Sequence, residues 1–394
     1  MAQDAAAWPG DFYHLRETLS PEEQAILARL RETLESDVAP VINDYWIRAE
    51  FPHALLPVFA SLGAAGASYS GYGFPGHSAL LDGLMCMEVA RVDPSCATFL
   101  GVHGGLAAGS IYLCGSEEQK TRWLPAMSRL EKIGAFGLTE PDVGSGVAGG
   151  LTTTARRVGD GWVLDGRKRW IGNGSFADLV VIWARDVSDN SVKGFVVEKG
   201  TPGFEAEVMQ HKIALRVVQN AMITLSDCHV PEENRLANAN SFADTGRVLK
   251  MTRAGVAWIA TGCALGAFEH ALAYARRREQ FGRPIGGFQL VQDQLVRILS
   301  GVTASMTICH RLSQLQGEGR YTDEQASLAK AFCTVSARQT VGLARELLGG
   351  NGILLEEQVG RFVADAEAIY SYEGTREINT LIVGRAITGM SAFV

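Results

Sequence analysis

The chain has 394 residues, which is enough for two or three domains with separate cores. Its hydrophobic content of 47% and charged content of 20% are typical of a soluble globular protein. A formal net charge of −7 argues against a nucleic-acid-binding surface and against attachment to an anionic membrane. The seven cysteines form no C-x-x-C pair, which indicates reduced thiols in an intracellular protein.

The sequence leads us to expect neither a targeting sequence nor a membrane span. The N-terminus carries Asp4 and Asp11 and lacks a basic-then-apolar pattern, and residues 391–394 do not form a peroxisomal address. The uncharged run at residues 254–268 has 15 residues, which is short for a membrane span. We therefore expect a cytoplasmic protein without a membrane partner, in which this run is a buried helix.

The first zone, residues 1–132, has helical periodicity. Ser20, Pro21 and Glu23 combine an N-cap serine, a first-turn proline and a capping-box glutamate, and apolar residues follow at helical spacing. Ser116 begins a second segment in the same way. This zone is predicted to be an α-helical N-terminal domain.

The second zone, residues 133–240, has the character of short strands. Four apolar runs lie between turn residues, at 161–166, 179–184, 194–198 and 221–225. Short strands separated by glycine- and aspartate-containing turns predict a compact β barrel or sandwich.

The third zone, residues 241–394, returns to long helical periods. Thr322 and Gln325 form another capping box, and few helix breakers interrupt the segments around them. Helices of this length predict a C-terminal four-helix bundle. The helix–strand–helix order of the three zones predicts an α+β protein.

Five short motifs follow one another from the second zone to the C-terminus. They are Leu-Thr-Glu-Pro-Asp-Val-Gly-Ser at 138–145, Arg-Trp-Ile-Gly-Asn at 169–173, Arg-Glu-Gln-Phe-Gly at 278–282, Leu-Gly-Gly-Asn-Gly at 348–352 and Tyr-Glu-Gly-Thr at 372–375. In this order and spacing they resemble the acyl-CoA dehydrogenase family of flavoproteins, and the likeness extends from about residue 20 to the C-terminus. Within the family the chain is most similar to the glutaryl-CoA dehydrogenase branch, and there to the plant short-chain acyl-CoA oxidase. The resemblance implies the acyl-CoA dehydrogenase fold.

The candidate catalytic residue is Glu373, which lies between Tyr372 and Gly374 in a mostly uncharged stretch. An apolar setting raises the pKa of a carboxyl group and makes it a plausible proton-abstracting base. The resemblance implies that Glu373 removes the α-proton of an acyl-CoA thioester while a β-hydride moves to flavin N5. Some branches place the base one residue before a shared arginine; here that position is Thr252, before Arg253, and threonine cannot serve.

The resemblance also implies which residues contact the two ligands. The residues expected to contact FAD are Phe136, Leu138, Thr139, Trp170, Gly172, Arg278, Phe281, Gln289, Glu346, Gly349, Gly350, Thr375 and Glu377. Those expected to line the acyl-CoA site are Ser145, Ala97, Arg253, Tyr372 and Gly374. No metal site is expected. In the family, the segments around 278–289 and 346–350 act across a subunit interface, so the resemblance implies a homotetramer built as a dimer of dimers.

Two positions depart from the usual family pattern. Gly146 follows Ser145 where aspartate is common, which leaves the conformation of that loop open. Gly172 stands where family dehydrogenases usually have a threonine near flavin N5, and the plant short-chain oxidase branch also has glycine there. The lost side chain either opens a path for oxygen or is replaced by a water or backbone group without consequence.

The acyl pocket is predicted to be uncharged. Glutaryl-CoA enzymes hold the distal carboxylate with an arginine near a glutamate, and alignment through residues 91–93 places Ala97 and Ala90 at those positions. Because a carboxylate without a cation in such a pocket costs several kcal/mol, we expect a short, uncharged acyl chain. Branched or aromatic acyl groups stay open.

Three functions are compatible with the sequence. The first is a short-chain acyl-CoA dehydrogenase of fatty-acid β-oxidation that passes electrons to an electron-transfer flavoprotein. The second is an acyl-CoA oxidase that passes them to oxygen. The third is a DNA-binding role, as in the family's flavoprotein of the alkylation response, but the acidic composition and the lack of a basic C-terminal surface disfavour it.

Overall fold

The computed structural model describes residues 8–393, and the N-terminal part of these residues is helical. Its helices are α1 (Pro21–Thr33), α2 (Ala39–Arg48), α3 (Leu56–Leu62), α4 (Ala79–Val92), α5 (Pro94–Leu100), α6 (Gly109–Cys114) and α7 (Glu117–Ser128). The capping boxes predicted at Ser20 and Ser116 are both present. A π-helical segment, Gly101–Ala108, joins α5 to α6, and a second one, Leu34–Val38, joins α1 to α2. Strands β1 (Ser70–Gly71) and β2 (Phe74–Pro75) form a small antiparallel pair.

The middle of the chain forms a seven-stranded sheet. Its strands are β3 (Gly134–Gly137), β4 (Thr154–Val158), β5 (Gly161–Ile171), β6 (Leu179–Asp186), β7 (Val192–Glu198), β8 (Phe204–Val208) and β9 (Ala221–Pro231). The strand order is β3-β6-β4-β5-β9-β8, and β7 also pairs with β6. A single helical turn, α8 (Val147–Gly150), lies between β3 and β4. All four predicted strand segments lie within observed strands.

Both faces of β6 are buried, which explains its continuous apolar run. Leu179 and Trp183 belong to a hydrophobic cluster that includes Trp123 and Met127 of α7. Ile182 belongs to a second cluster, formed within the sheet region itself. Because successive side chains of β6 point to opposite faces, one face of this strand packs against the N-terminal helices and the other packs within the sheet region.

The last part of the described chain is a helical bundle. Its helices are α9 (Phe242–Arg277), α10 (Gln289–Gly317), α11 (Asp323–Leu347), α12 (Val359–Ser371) and α13 (Arg376–Thr388). Between α9 and α10 lie the short antiparallel strands β10 (Glu279–Gln280) and β11 (Arg283–Pro284). The predicted capping box at Thr322 is present, and the predicted α+β architecture is confirmed.

Two helical stretches are long and apolar enough to cross a membrane by length and composition alone. They are Pro94–Cys114 and Phe242–Arg277, and 61% and 78% of their most apolar windows are buried within the protein. Core packing accounts for this apolarity. The prediction that residues 254–268 form a buried helix is confirmed, since they lie within α9 and all but Gly255 are buried.

Candidate active site

Glu373 occupies a tight turn between two helices. Helix α12 ends at Ser371, and Thr375 caps α13 by accepting a hydrogen bond from the Ile378 backbone N–H at 3.3 Å. Glu373 has a φ of 57°, and Gly374 has a φ of 81°. The left-handed conformation is unfavourable for a residue with a side chain and persists where surrounding contacts impose it. The turn therefore points to a functional constraint on Glu373.

The Glu373 carboxylate is partly buried against α9. The Thr252 hydroxyl donates a hydrogen bond to Oε1 of Glu373. Burial raises the pKa of Glu373 above its usual value, although this hydrogen bond and the charges of Arg253 and Lys330 act in the opposite direction. A carboxylate whose pKa is raised is a stronger base than an ordinary glutamate, which suits proton abstraction.

Arg253 lies beside this carboxylate and is almost fully buried. Its Nη1 donates to Asp323 at the start of α11. Its Nε is buried without a hydrogen-bond partner among residues 8–393. A buried donor without a protein partner is costly unless a ligand or water fills the role. This agrees with the predicted position of Arg253 at the substrate site.

Tyr372 lies on the other side of the turn, against α5. Its hydroxyl is 3.2 Å from the Thr98 hydroxyl. The neighbouring Ala97 is 1% exposed, and Ala90 on α4 is fully buried. Both alanines belong to the hydrophobic cluster against which Tyr372 packs, so this apolar wall carries no charge at the two positions that the resemblance aligns with the charged pair of glutaryl-CoA enzymes.

A β-bulge shapes the predicted flavin-contacting strand. The pairing of β5 with β9 shifts register between Lys168 and Ile171, and Trp170 has a φ of 65°. Trp170 keeps 53% of its surface exposed, which is unusual for a tryptophan. Bulges commonly redirect a side chain next to a ligand site. Here the bulge presents an indole face outside the sheet.

The loop after β3 is held against this bulge. The backbone N–H of Arg169 donates to the carbonyl oxygen of Thr139 at 2.8 Å, and Nζ of Lys168 donates to that of Leu138 at 3.1 Å. Lys168 is completely buried and also bonds to Glu140 at 2.9 Å. The first two predicted flavin motifs therefore form one surface.

The Lys168–Glu140 pair is a buried ion pair. Burial lowers the pKa of Lys168 to about 8 despite the opposing carboxylate. Burial would raise the pKa of Glu140, but the charge of Lys168 and hydrogen bonds from Thr152 and Thr153 outweigh it and lower that pKa to about 2. Both groups are therefore charged near neutral pH, and each depends on the other.

The π-helical segment between α5 and α6 lies between Thr252, which bonds to Glu373, and the bulge. A Cβ placed on Gly105 would lie 3.2 Å from Cγ2 of Thr252. A Cβ placed on Gly172 would lie 3.1 Å from Cγ2 of Val102. One short segment thus touches both halves of the site. π-Helical turns are frequent at functional sites, and this one contributes small residues where space is needed.

Other predicted cofactor residues lie at a different surface. Phe281 is 93% exposed with a φ of 53°, and Arg278, Gln289, Glu346, Gly349 and Gly350 are also exposed. The turn at Gly349–Ile353 is tied to α9 because Asn351 donates to the Tyr274 hydroxyl at 2.8 Å. No hydrogen bond joins this group to Glu373 or Trp170 within residues 8–393. The two segments predicted to act across an interface therefore lie together at one end of the bundle.

Comparison with known proteins agrees with this geometry. Family models for the acyl-CoA dehydrogenase N-terminal, middle and C-terminal domains match residues 20–131, 135–228 and 242–388. The chain is 31% identical over 374 residues to an acyl-CoA dehydrogenase of Bacillus subtilis, covering 93% of this chain and 98% of that one. The chain belongs to the acyl-CoA dehydrogenase family. It is an oxidoreductase, and its cofactor is FAD.

Solved structures of two relatives share this acyl-CoA dehydrogenase fold. A glutaryl-CoA dehydrogenase from Mycobacterium smegmatis in complex with FADH2 has a TM-score of 0.95 and 35% identity, covering 98% of this chain and 100% of that one. Butyryl-CoA dehydrogenase from Megasphaera elsdenii has a TM-score of 0.90 and 30% identity, covering 94% and 99%. The likeness therefore includes relatives that act on charged and on uncharged acyl groups.

The residues at the predicted positions can accommodate FAD. Trp170 offers an exposed aromatic ring, which the Arg169 guanidinium approaches at 5.5 Å from the centroid, and the Arg169 backbone is bonded to that of Thr139. At the other end of the bundle, a Cβ added to Gly349 or Gly350 would meet no atom within 4 Å, so a phosphate can approach the backbone there. Thr375 and Glu377 lie at the start of α13, immediately after the turn that carries Glu373.

Sequence reasoning missed three features of this acyl-CoA dehydrogenase site. It did not assign the Lys168–Glu140 pair, the π-helical segment 101–108, or Lys330 beneath the Glu373 turn. Glu140 and Lys168 lie in or next to the quoted motifs, but Lys168 stands between Arg167 and Arg169, so nothing local marks it as the buried member of the three. Nothing local distinguishes Lys330 from a surface lysine.

Proposed function

We propose that this enzyme removes two hydrogens from a short, uncharged acyl-CoA thioester and forms the trans-2-enoyl-CoA, with Glu373 as the base. The observation that carries the proposal is the setting of Glu373: a partly buried carboxylate with a raised pKa, fixed in an unfavourable turn and bonded to Thr252. FAD, when bound, supplies the hydride acceptor at flavin N5.

The protein residues perform the proton chemistry. Glu373 accepts the α-proton, and the hydroxyl of Thr252 orients the carboxylate for that step. Deprotonation is favoured when the thioester carbonyl is polarised by hydrogen-bond donors. The apolar wall behind Tyr372 excludes water from the acyl chain, which strengthens the electrostatic interactions within the site.

The proposal is tested by anaerobic titration of the FAD-loaded enzyme with an acyl-CoA panel, followed by admission of air. The panel contains butyryl-, hexanoyl-, isobutyryl-, phenylpropionyl- and glutaryl-CoA. Bleaching of the flavin with formation of the matching enoyl-CoA supports the proposal. A FAD-loaded enzyme that none of these compounds reduces would contradict it.

The panel also tests the predicted pocket. Because Ala97 and Ala90 offer no charge to a distal carboxylate, butyryl-CoA is expected to exceed glutaryl-CoA in kcat/KM by about a hundredfold or more. Steady-state kinetics with both compounds on one enzyme preparation measure the ratio. A higher value for glutaryl-CoA, with release of carbon dioxide, would show that this assignment of the alanines is wrong.

We further propose that each FAD contacts two chains within a homotetramer. The support is Phe281, an aromatic side chain that is 93% exposed in a left-handed conformation, together with the open glycine turn at the same end of the bundle. Sedimentation is expected to show a flavin-containing tetramer, and Phe281→Ser is expected to release FAD without unfolding the chain. A flavin-saturated monomer at micromolar concentration would refute the shared site.

The electron acceptor is proposed to be an electron-transfer flavoprotein, with slow leakage to oxygen. Gly172 is buried, and Val102 lies close enough to occupy much of the space that a threonine would fill. This packing supports a closed site, as dehydrogenases require.

A matched pair of variants tests the role of Gly172. Gly172→Thr combined with Val102→Ala is expected to reoxidise more slowly in air than Val102→Ala alone, since the threonine fills the gap that the smaller alanine leaves. Stopped-flow mixing of the reduced, product-bound enzyme with aerated buffer gives the rates. Equal reoxidation rates for the two variants would show that Gly172 does not cause the leakage to oxygen. If the wild-type enzyme reoxidises as fast as it turns over, it is an oxidase.

A further inference from the structure

Lys330, on α11, lies directly beneath the turn that carries Glu373. Its side chain is completely buried. Its Nζ donates to the carbonyl oxygen of Tyr370 at 3.0 Å and to that of Gly374 at 2.7 Å. These two carbonyls lie three residues before and one residue after Glu373, so a single ammonium group closes the turn from both ends.

Both carbonyl oxygens lie outside the regular hydrogen bonding of a helix. Tyr370 lies in the last turn of α12, where backbone carbonyls have no partner within the helix and carry partial negative charge. The carbonyl of Gly374 belongs to the left-handed turn and also accepts from Nδ2 of Asn379 at 2.9 Å. Lys330 therefore stabilises a helix end and an unfavourable turn together.

A neutral side chain would meet these hydrogen-bonding needs at less cost than a lysine. Among residues 8–393, no carboxylate lies within ion-pair distance of Lys330, so its charge is buried without a direct counterion. Burying a charge in this way destabilises a protein. The charged groups that face it are Glu373 in the turn, Glu377 on α13 and Arg253 on α9. The buried charge of Lys330 therefore lowers the stability of the protein, and it lies near the predicted base Glu373.

We infer that Lys330 is a positioning residue of the active site, whose ammonium group fixes the turn that carries Glu373 and places a positive charge beneath that carboxylate. The inference rests on the proposed role of Glu373 as the base. Lys330 acts through Glu373 and does not itself contact substrate.

The titration of both groups supports this role. The charge of Lys330 is one of the effects that lower the pKa of Glu373 against the larger raising effect of burial. Removal of the cation must therefore move the pKa of Glu373 upward. Burial in turn lowers the pKa of Lys330 to about 8, with Glu373 and Glu377 opposing and Arg253 adding to the shift. Lys330 is thus charged at neutral pH and loses its proton in mildly alkaline solution.

The test measures single-turnover flavin reduction by butyryl-CoA, per bound FAD, across the pH range. Lys330→Met keeps the length of the side chain and removes both its hydrogen bonds and its charge. We expect the limiting reduction rate to fall roughly tenfold to a hundredfold, the effect of a base displaced by about 1 Å. The acidic limb of the pH profile is expected to move to higher pH, with little change in the acyl-CoA dissociation constant.

Lys193→Met is the matched control. Lys193 is also buried and hydrogen-bonded, but its partners are Asp186 and Asp189 in the β region. This variant is expected to lose stability and to keep the wild-type rate per FAD and the wild-type pH profile. If Lys330→Met behaves in the same way, its role is structural only and the inference is overturned.

A second variant tests the positioning role if Lys330→Met does not load FAD. Lys330→Gln keeps an N–H donor without the charge, and it should still move the acidic limb upward. An acidic limb of Lys330→Gln that coincides with the wild-type limb overturns the inference. Glu373→Gln distinguishes the role of the base from the role of Lys330. Normal flavin reduction by Glu373→Gln would show that Glu373 is not the base. Normal flavin reduction by Lys330→Met alone would show only that Lys330 has no positioning role.

Discussion

Glu373→Gln is expected to lower flavin reduction by butyryl-CoA roughly a thousandfold, the scale of losing a positioned base. The amide keeps the shape of the side chain, and the Thr252 hydroxyl can still donate to its oxygen. The variant should therefore bind FAD and acyl-CoA as the wild type does. Stopped-flow absorbance at the flavin band, under anaerobic conditions, measures the loss.

Glu367→Gln is the matched control for this prediction. Glu367 lies on α12, two turns before Glu373, and is exposed, with an ion pair to Arg338 at 2.9 Å. The same change of chemistry there should leave the reduction rate unaltered. Bleaching by Glu373→Gln at a rate near that of Glu367→Gln would show that Glu373 is not the base.

The rate of flavin reduction is expected to rise with pH on the acidic side. Only the ionised carboxylate accepts a proton, and burial raises the pKa of Glu373. The limiting rate should therefore be low in acid and rise with pH through a value above that of an ordinary glutamate. An acidic limb centred below the ordinary value would contradict the buried setting seen here.

Glu140→Gln is expected to produce the largest loss of stability, about 3–5 kcal/mol, because it leaves Lys168 buried without a counterion. The side chains of the two residues are 1% and 0% exposed, and Lys168 also holds the carbonyl of Leu138. Since this loop forms one side of the predicted flavin surface, the folded variant should also bind FAD more weakly. Chemical denaturation of the apoprotein and flavin titration measure the two effects.

The control for this prediction is Glu131→Gln. Glu131 pairs with Arg129 at 2.8 Å on the protein surface, where water solvates both charges. The loss of such a pair should change neither stability nor FAD affinity appreciably. If Glu140→Gln unfolds at the same denaturant concentration as Glu131→Gln, the buried pair does not carry the stability assigned to it.

The sequence predicted those elements whose signals are local. Capping boxes at Ser20, Ser116 and Thr322 mark helix starts because the side chain and the backbone that it bonds lie three residues apart. The run at 179–184 is predicted as a strand because its apolar residues lie between turn residues. Strands β3, β4 and β8 were not predicted, because short or partly exposed strands owe their conformation to distant partners.

The candidate site also combines residues that the sequence predicts with contacts that it does not. Glu373, Trp170 and the Leu138–Thr139 loop were assigned by resemblance, and the roles given to them remain predictions. The contacts that fix them come from residues far away in the chain. Thr252 reaches Glu373 across 121 positions, and Lys330 reaches Gly374 across 44. Such pairings follow from the packing of helices, which no local pattern encodes.

The central claim is the removal of an α-proton by Glu373 and of a β-hydrogen from the same short acyl chain. The most direct measurement is anaerobic reduction of the FAD-loaded enzyme by butyryl-CoA carrying deuterium at C2, at C3 or at neither carbon. We predict that deuterium at either carbon slows bleaching and that each reduced flavin is matched by one trans-2-butenoyl-CoA. An enzyme fully loaded with FAD that is not bleached, or that is bleached without forming the enoyl thioester, would contradict the claim.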